Sequence, residues 1–198
     1  MNAQDKVELR KGDALIIVDV QNDFLPGGAL AVPHGDEVIP PLNRYIELFN
    51  ARQLPVIATR DWHPQNHCSF KAQGGIWPSH CVADSQGATF SKMLQLPSTA
   101  WIISKAETQD NESYSGFGNV ALAEKLRREN VRRVFIGGLA TDYCVLNTVL
   151  DARKNAIEVF LLRDGSRAVN IRPDDGPKAE AEMAKSGAVP IELERIVL

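Results

Sequence analysis

Three residues of this sequence, Asp19, Lys105 and Cys144, could together perform nucleophilic chemistry. Each comes at or shortly after the end of a short apolar run. A thiol becomes a nucleophile when a neighbouring base takes its proton, and an ammonium group can balance the charge of that pair. Separately, each residue also fits an ordinary role, as a small buried core cysteine or as a structural aspartate–lysine pair.

The surroundings of Cys144 indicate how its thiol would be activated. The segment 137–144 predicts the end of a strand, a tight glycine turn and the start of a helix. Thr141 or Asp142 is a suitable N-cap, which would put Cys144 in the first helical turn. The positive end of a helix dipole stabilises a thiolate at such a position.

A second set of residues, Asp61, His63 and His80, could bind a metal ion. One carboxylate and two imidazoles, with positions left for water, suit catalytic zinc, iron or manganese. Ordinary loop histidines are the alternative, and Cys81 is a competing ligand. These residues lie in a stretch from 61 to 97 that has no helical or strand period, and such long loops are usually functional or disordered. Its content of His, Cys and Trp favours function.

Aromatic residues are concentrated in the same kind of segment. Phe24, Trp62, Trp77 and Tyr114 all fall in loops that follow apolar runs. Each could simply pack against the core, but together they indicate a pocket for a flat ring.

The elements that must position these residues alternate along the chain. Short apolar runs rich in β-branched residues recur at 14–18, 55–59, 100–103, 133–137, 158–162 and 189–193. Continuous apolar runs suit strands covered on both faces, and helical spacing between most of them predicts an α/β fold with a parallel sheet. In such sheets ligands bind beyond the carboxyl ends of the strands. The candidate residues fall at those ends.

Composition limits the classes of partner. The chain has 198 residues and a formal net charge of -3, which predicts one domain over 1–198 and argues against nucleic acid and anionic membranes. It shows neither a secretory signal nor an apolar run long enough to span a bilayer, and three cysteines cannot all pair. We therefore expect a cytoplasmic protein with reduced thiols and a small-molecule substrate. A homo-oligomer is compatible with the sequence.

Taken together, these motifs resemble the isochorismatase-like cysteine hydrolases, most closely their nicotinamidase (pyrazinamidase) branch. The resemblance extends from about residue 13 to the C-terminus and is carried by the segments 18–24, 61–67, 77–81, 113–117 and 138–144. One departure is Lys105-Ala106, where many members have Lys-Gly.

The resemblance implies a role for each matched residue. Cys144 would be the nucleophile, Asp19 the general base and acid, and Lys105 the group that balances their charge. Asp61, His63 and His80 would bind a divalent metal, zinc in the first place, with iron or manganese as alternatives. The remaining residues would serve the substrate: Phe24, Leu30, Trp77 and Tyr114 would line its pocket, and the N–H groups of Ala140 and Cys144 would form an oxyanion hole.

The resemblance also implies a fold and a reaction. The fold would be a three-layer α/β/α sandwich with a six-stranded parallel sheet of order 3-2-1-4-5-6, and a cis peptide would join Leu139 to Ala140. His67 would stay off the metal. The expected reaction is hydrolysis of nicotinamide, and of pyrazinamide, through a thioester. Hydrolysis of another small amide such as a carbamoyl compound, or a non-catalytic metal or thiol sensor, stays open as an alternative.

Overall fold

A six-stranded parallel sheet organises the chain. The computed structural model describes residues 6–197, and its sheet strands in chain order are β1 (Asp13–Val18), β2 (Val56–Asp61), β3 (Trp101–Lys105), β4 (Arg133–Leu139), β5 (Glu158–Arg167) and β6 (Val189–Ile191). They lie in the order β3-β2-β1-β4-β5-β6, with every neighbouring pair parallel. The predicted order is therefore confirmed, and it places β1 beside β4, where the direction of winding reverses.

Helices cover both faces of this sheet. They are α1 (Ile39–Ala51), α2 (Val120–Arg128), α3 (Leu146–Lys154) and α4 (Asp175–Lys185). Alternate residues of β1 point to opposite faces. Leu15 and Ile17 join one core cluster with α1, whereas Ala14, Ile16 and Val18 join a second with the other three helices. The three-layer α/β/α sandwich is confirmed.

Two elements were not predicted from the sequence. Helix α4 buries only Gly176, Ala179 and Met183 among charged residues, so its apolar period is weak. A separate parallel pair, Val7–Glu8 with Ile196–Val197, brings the two ends of the described chain together. Two residues on each side are too few for a recognisable strand pattern.

The strands also end later than their apolar runs. Asp61 and Lys105 are the last residues of β2 and β3, and they pair in register. These polar side chains therefore stand on the sheet itself, which holds them more firmly than a loop would. Among residues 6–197, no helix combines the length and the apolar character needed to cross a bilayer.

Candidate active site

The predicted reactive residues lie close together at the switch point between β1 and β4. Asp19 directly follows the last residue of β1, and its backbone is left-handed, with φ 51°. Its N–H donates to the Thr59 carbonyl oxygen over 3.2 Å, and the Thr59 hydroxyl donates to Asp19 Oδ1 over 2.7 Å. Neighbouring β2 thus holds the carboxylate in one orientation.

Lys105 connects three of these side chains. Its Nζ lies 2.9 Å from Asp19 Oδ2, donates to Asp61 Oδ1, and lies 3.5 Å from Cys144 Sγ. All four side chains are buried. Asp19 Oδ2 faces the ammonium group but accepts no well-directed hydrogen bond from residues 6–197. That oxygen therefore keeps a lone pair that could accept a proton.

Burial controls the ionisation of the pair formed by Asp19 and Cys144. Burial raises the pKa of the Cys144 thiol well above its ordinary value; the Lys105 charge opposes this rise and the two carboxylates add to it. Burial also raises the pKa of Asp19, against the lowering effect of Lys105. The pKa of Lys105 is raised despite burial, because both carboxylates stabilise its charge. The thiol therefore keeps its proton until a neighbouring base accepts it.

The turn that carries Cys144 differs from the predicted capped helix. Residues Thr141–Val145 form one π-helical turn ahead of α3, and no side chain caps it. The predicted N-cap role of Thr141 or Asp142 is wrong. The Asp142 carboxylate instead accepts hydrogen bonds from the N–H groups of Val169 (2.9 Å) and Asn170 (2.8 Å). These donors follow β5 and therefore compete with a local cap.

The chain reverses sharply between β4 and this turn. The Leu139–Ala140 peptide bond is cis, as expected. Gly138 just before it has φ 129°, and a Cβ there would lie 2.1 Å from the Val18 carbonyl oxygen, so only glycine fits. Ala140, whose N–H is the predicted second donor of the oxyanion hole, stands directly after this reversal.

Asp61, His63 and His80 form a compact donor set. One donor atom from each lies within 4.8 Å of the others, and all three residues are buried. The Nδ1 atoms of His63 and His80 lie 3.2 Å and 2.8 Å from the carbonyl oxygens of Ala106 and Pro78. Such bonds fix the tautomer and leave Nε2 as the ligand atom. Burial lowers the pKa of His80, which favours the neutral ring that binds metals.

The charges of the site also suit a cation. Asp61 gives Oδ1 to Lys105, while Oδ2 lies 3.6 Å from His63 Nε2. Although burial works to raise the pKa of Asp61, the Lys105 charge and the interactions with His63 outweigh it, and the pKa is lowered. When Asp19 and Asp61 are both ionised, they outnumber the single ammonium group. A divalent cation would neutralise this surplus negative charge, so the residues present fit a metal.

His67 and Cys81 are not in the donor set. His67 is buried against the His63 ring, with centroids 4.1 Å apart, but its Nδ1 lies 2.7 Å from Ser69 Oγ and its Nε2 lies 3.3 Å from the Asn111 carbonyl oxygen. Protein partners therefore occupy both nitrogens, in agreement with the expectation that His67 stays off the metal. Cys81 is buried and contributes no sulfur to the donor group found within residues 6–197.

A small pocket opens beside the Cys144 sulfur. The free space between its walls, including the open mouth, is about 360 Å³. Its lining residues are Phe24, Leu30, Val32, Asp61, Trp77, His80, Tyr114, Ala140, Tyr143, Cys144 and Val169. All four residues predicted to contact the substrate are present, and so are two of the predicted metal ligands.

Sequence reasoning missed Val32, Tyr143 and Val169. The Tyr143 ring packs edge-on against Trp77, with centroids 5.0 Å apart. Its position next to Cys144 was an available signal, and Val169 follows the carboxyl end of β5, where the strand-end rule could have found it. Trp62 was wrongly assigned to the ring pocket, because its ring lies under the Arg60 guanidinium, 3.6 Å away.

This site and sheet belong to a known class. The chain is a member of the isochorismatase domain family, whose model matches residues 13–195. At the departure from Lys-Gly, Ala106 has φ 53°, a left-handed conformation that glycine adopts more readily than alanine.

Within this family, the chain is similar to individual proteins named as nicotinamidases or pyrazinamidases. The chain is 41% identical to a nicotinamidase of Escherichia coli K12 over 196 residues, which is 88% of this chain and 92% of that protein. It superimposes on the pyrazinamidase of Pyrococcus horikoshii in complex with zinc with a TM-score of 0.88 at 49% identity, covering 92% and 99% of the two chains. For PnC1 from L. infantum in complex with nicotinate, the TM-score is 0.90 at 39% identity, with 97% and 98% covered.

Proposed function

We propose that this protein is a nicotinamidase that hydrolyses nicotinamide to nicotinic acid and ammonia, and that also accepts pyrazinamide. The observation that carries the proposal is the position of Cys144. Its sulfur lies 3.5 Å from Lys105 Nζ, and Cys144 lines a pocket with aromatic walls that also contains His80. The relatives named above support this substrate class.

The first half of the reaction forms a covalent acyl-enzyme. Asp19 Oδ2 accepts the thiol proton, and the Cys144 sulfur attacks the amide carbon. Asp19 then gives that proton to the nitrogen, the carbon–nitrogen bond breaks, ammonia leaves and a thioester remains. Lys105 stays protonated and balances the negative charge as it moves between carboxylate and sulfur.

The second half releases the acid. Asp19 takes a proton from water, the hydroxide oxygen attacks the thioester carbon, and the carbon–sulfur bond breaks. The proton returns to the sulfur, so the thiol and the carboxylate are restored. In both halves, negative charge develops on the former carbonyl oxygen. We assign its stabilisation to the N–H groups of Ala140 and Cys144, which must point beside the sulfur for this role.

Asp61, His63 and His80 would hold the divalent metal, and zinc is our first assignment. When bound, the cation supplies a Lewis acid for the ring nitrogen of the substrate and so orients the ring. Phe24 and Trp77 supply apolar walls for that ring. Two of these three residues, Asp61 and His80, line the pocket, which favours a heteroaromatic amide over a carbamoyl substrate, since the latter has no ring nitrogen to bind. We also infer a reducing, cytoplasmic setting, which the three free cysteines support.

Ammonia release tests this proposal directly. The purified protein is supplied with nicotinamide, pyrazinamide or a carbamoyl amide, before and after treatment with a chelator. We expect turnover of the two ring amides, loss of turnover with the chelator, and recovery when zinc is restored. Preference for the carbamoyl compound, or turnover that the chelator does not affect, would contradict it.

A further inference from the structure

We propose that Asp23 is a positioning residue that joins the metal site to the substrate pocket. This inference rests on the proposed function in one respect, which is that Asp61, His63 and His80 bind a divalent cation. Asp23 itself touches neither the donor atoms of that set nor the pocket. Its effect must therefore pass through the backbone of other segments.

Asp23 connects segments that are distant in sequence. Its Oδ2 accepts a hydrogen bond from the Cys81 N–H over 2.7 Å, and its Oδ1 accepts one from the Ala29 N–H over 3.2 Å. Its own N–H donates to the Gly87 carbonyl oxygen over 3.0 Å, while its carbonyl oxygen accepts from the Leu30 N–H over 2.9 Å. One residue thus holds together the loop that follows β1 and the loop that carries His80.

The Cys81 peptide passes this constraint to both histidines. Cys81 directly follows His80, and its carbonyl oxygen accepts a hydrogen bond from the His63 N–H over 3.0 Å. Cys81 also has φ 45°, a left-handed conformation that a residue other than glycine adopts only with support from its surroundings. The bond from Asp23 provides such support, so its removal should loosen His80 and His63 together.

The same bond links the metal site to the ring pocket. Phe24 directly follows Asp23, and its ring centroid lies 5.6 Å from that of His80. The two residues joined by this hydrogen bond therefore each have a functional neighbour in sequence. Asp23 precedes Phe24 of the pocket wall, and Cys81 follows the metal ligand His80. A displacement of the Asp23 carboxylate would shift both.

Gly87 offers a second way to displace this carboxylate. A Cβ at Gly87 would lie 2.1 Å from Asp23 Oδ2 and 2.4 Å from Oδ1, so alanine cannot fit while the carboxylate keeps its place. The φ of Gly87 is outside the left-handed region, and alanine is otherwise compatible with its backbone. Gly87→Ala therefore disturbs the contacts of Asp23 without removing its side chain.

A double-mutant cycle read out by zinc affinity tests the inference. The proteins are the unmodified chain, Asp23→Ala, Gly87→Ala and the double variant, with Asp36→Ala as an exposed control from the adjacent segment. Zinc affinity is measured by competition with a chromophoric chelator. We expect a roughly tenfold weaker affinity for each single variant, no further loss in the double variant, and no change for Asp36→Ala. Asp23→Asn should recover much of the affinity, since its side-chain oxygen can still accept from Cys81.

The unfolding midpoint of the metal-free proteins separates positioning from general stability. If Asp23 acts by positioning, zinc affinity should fall more in Gly87→Ala than in Asp23→Asn. This difference should hold even where the unfolding midpoints of the two metal-free variants agree. Unchanged zinc affinity in Asp23→Ala, or losses in the two single variants that simply add, would overturn the inference. If Asp23→Ala does not fold, Gly87→Ala and Asp23→Asn decide the question. Failure of the unmodified protein to bind zinc would instead overturn the metal site of the proposed function, and this inference with it.

Discussion

Lys105 lies at the carboxyl end of an edge strand, and yet its ammonium nitrogen reaches to 3.5 Å from the sulfur of Cys144, which belongs to a π-helical turn on the other side of β1. Burial raises the pKa of that thiol, so a positive charge at this distance is needed when the sulfur becomes negative. Two strands, β2 and β1, lie between β3 and β4, so the Lys105 side chain reaches the sulfur by extending across the carboxyl ends of both.

Replacing the nucleophile should abolish turnover while the fold is kept. We expect Cys144→Ala to reduce ammonia release from nicotinamide by at least about 10³-fold, because loss of a covalent nucleophile removes the whole reaction path. Circular dichroism and zinc content should stay unchanged. Cys68→Ala, at a half-exposed thiol, is the matched control and should keep most of the activity, as should Cys81→Ala. Near-normal turnover in Cys144→Ala would rule out thioester chemistry.

Asp19→Asn should lose activity at every pH. An amide side chain can accept the hydrogen bond from Thr59, but it cannot carry a proton from the thiol to the leaving nitrogen. Rates measured from pH 5 to pH 9 should therefore all fall by a similar large factor. A pH profile that keeps its height and moves along the axis would assign the base to another residue.

Removing Lys105 should harm stability as well as activity. Lys105→Met leaves the buried carboxylates of Asp19 and Asp61 without their counter-charge, and loss of one member of a buried ion pair costs about 3–5 kcal/mol. Chemical denaturation should show a decrease of this size in the free energy of unfolding. The exposed Lys92 provides the matched control, Lys92→Met, which should differ little from the unmodified protein.

His80 and His67, two of the three buried histidines of the long loop, should behave differently towards metal. His80→Ala removes a donor and should lower bound zinc, measured by elemental analysis, to a small fraction of one equivalent. His67→Ala should keep the metal, because both nitrogens of His67 already face protein partners. Full occupancy in His80→Ala would mean that Cys81 or His67 supplies a ligand instead.

Tyr143 should matter for substrate binding. Its ring packs on Trp77 and lies 5.5 Å from the Tyr114 ring, so Tyr143→Leu should loosen two walls of the pocket. We expect KM for nicotinamide to rise several-fold with a smaller effect on kcat. The reason is that Tyr143 lines the pocket but makes no polar contact with the Cys144 thiol. Tyr143→Phe keeps the ring contacts and should resemble the unmodified enzyme in steady-state kinetics. A fall in kcat alone would assign Tyr143 to the chemical step.

The strand-end residues were the most predictable part of the site. Asp19, Asp61 and Lys105 come at the ends of apolar runs, and parallel strands bring such ends to one edge whatever the details of packing. Cys144, His63 and His80 were recognised through their motifs. Helix α4 was missed because charged residues fill most of its sequence, and the cap at Thr141 or Asp142 was wrongly predicted because local patterns do not show the distant N–H groups of residues 169 and 170.

The sequence by itself therefore determined the strands and the residue types that carry the chemistry, because apolar periodicity and ordered motifs are local properties of the chain. The order of the strands was expected only from the resemblance to the family. Only the tertiary structure decided which oxygen of Asp61 faces Lys105, that His67 is bound on both nitrogens, and that Asp23 supports the peptide of Cys81. These contacts join residues up to 58 positions apart across irregular loops. Their geometry depends on how the loops pack together, and no repeating pattern along the chain records it.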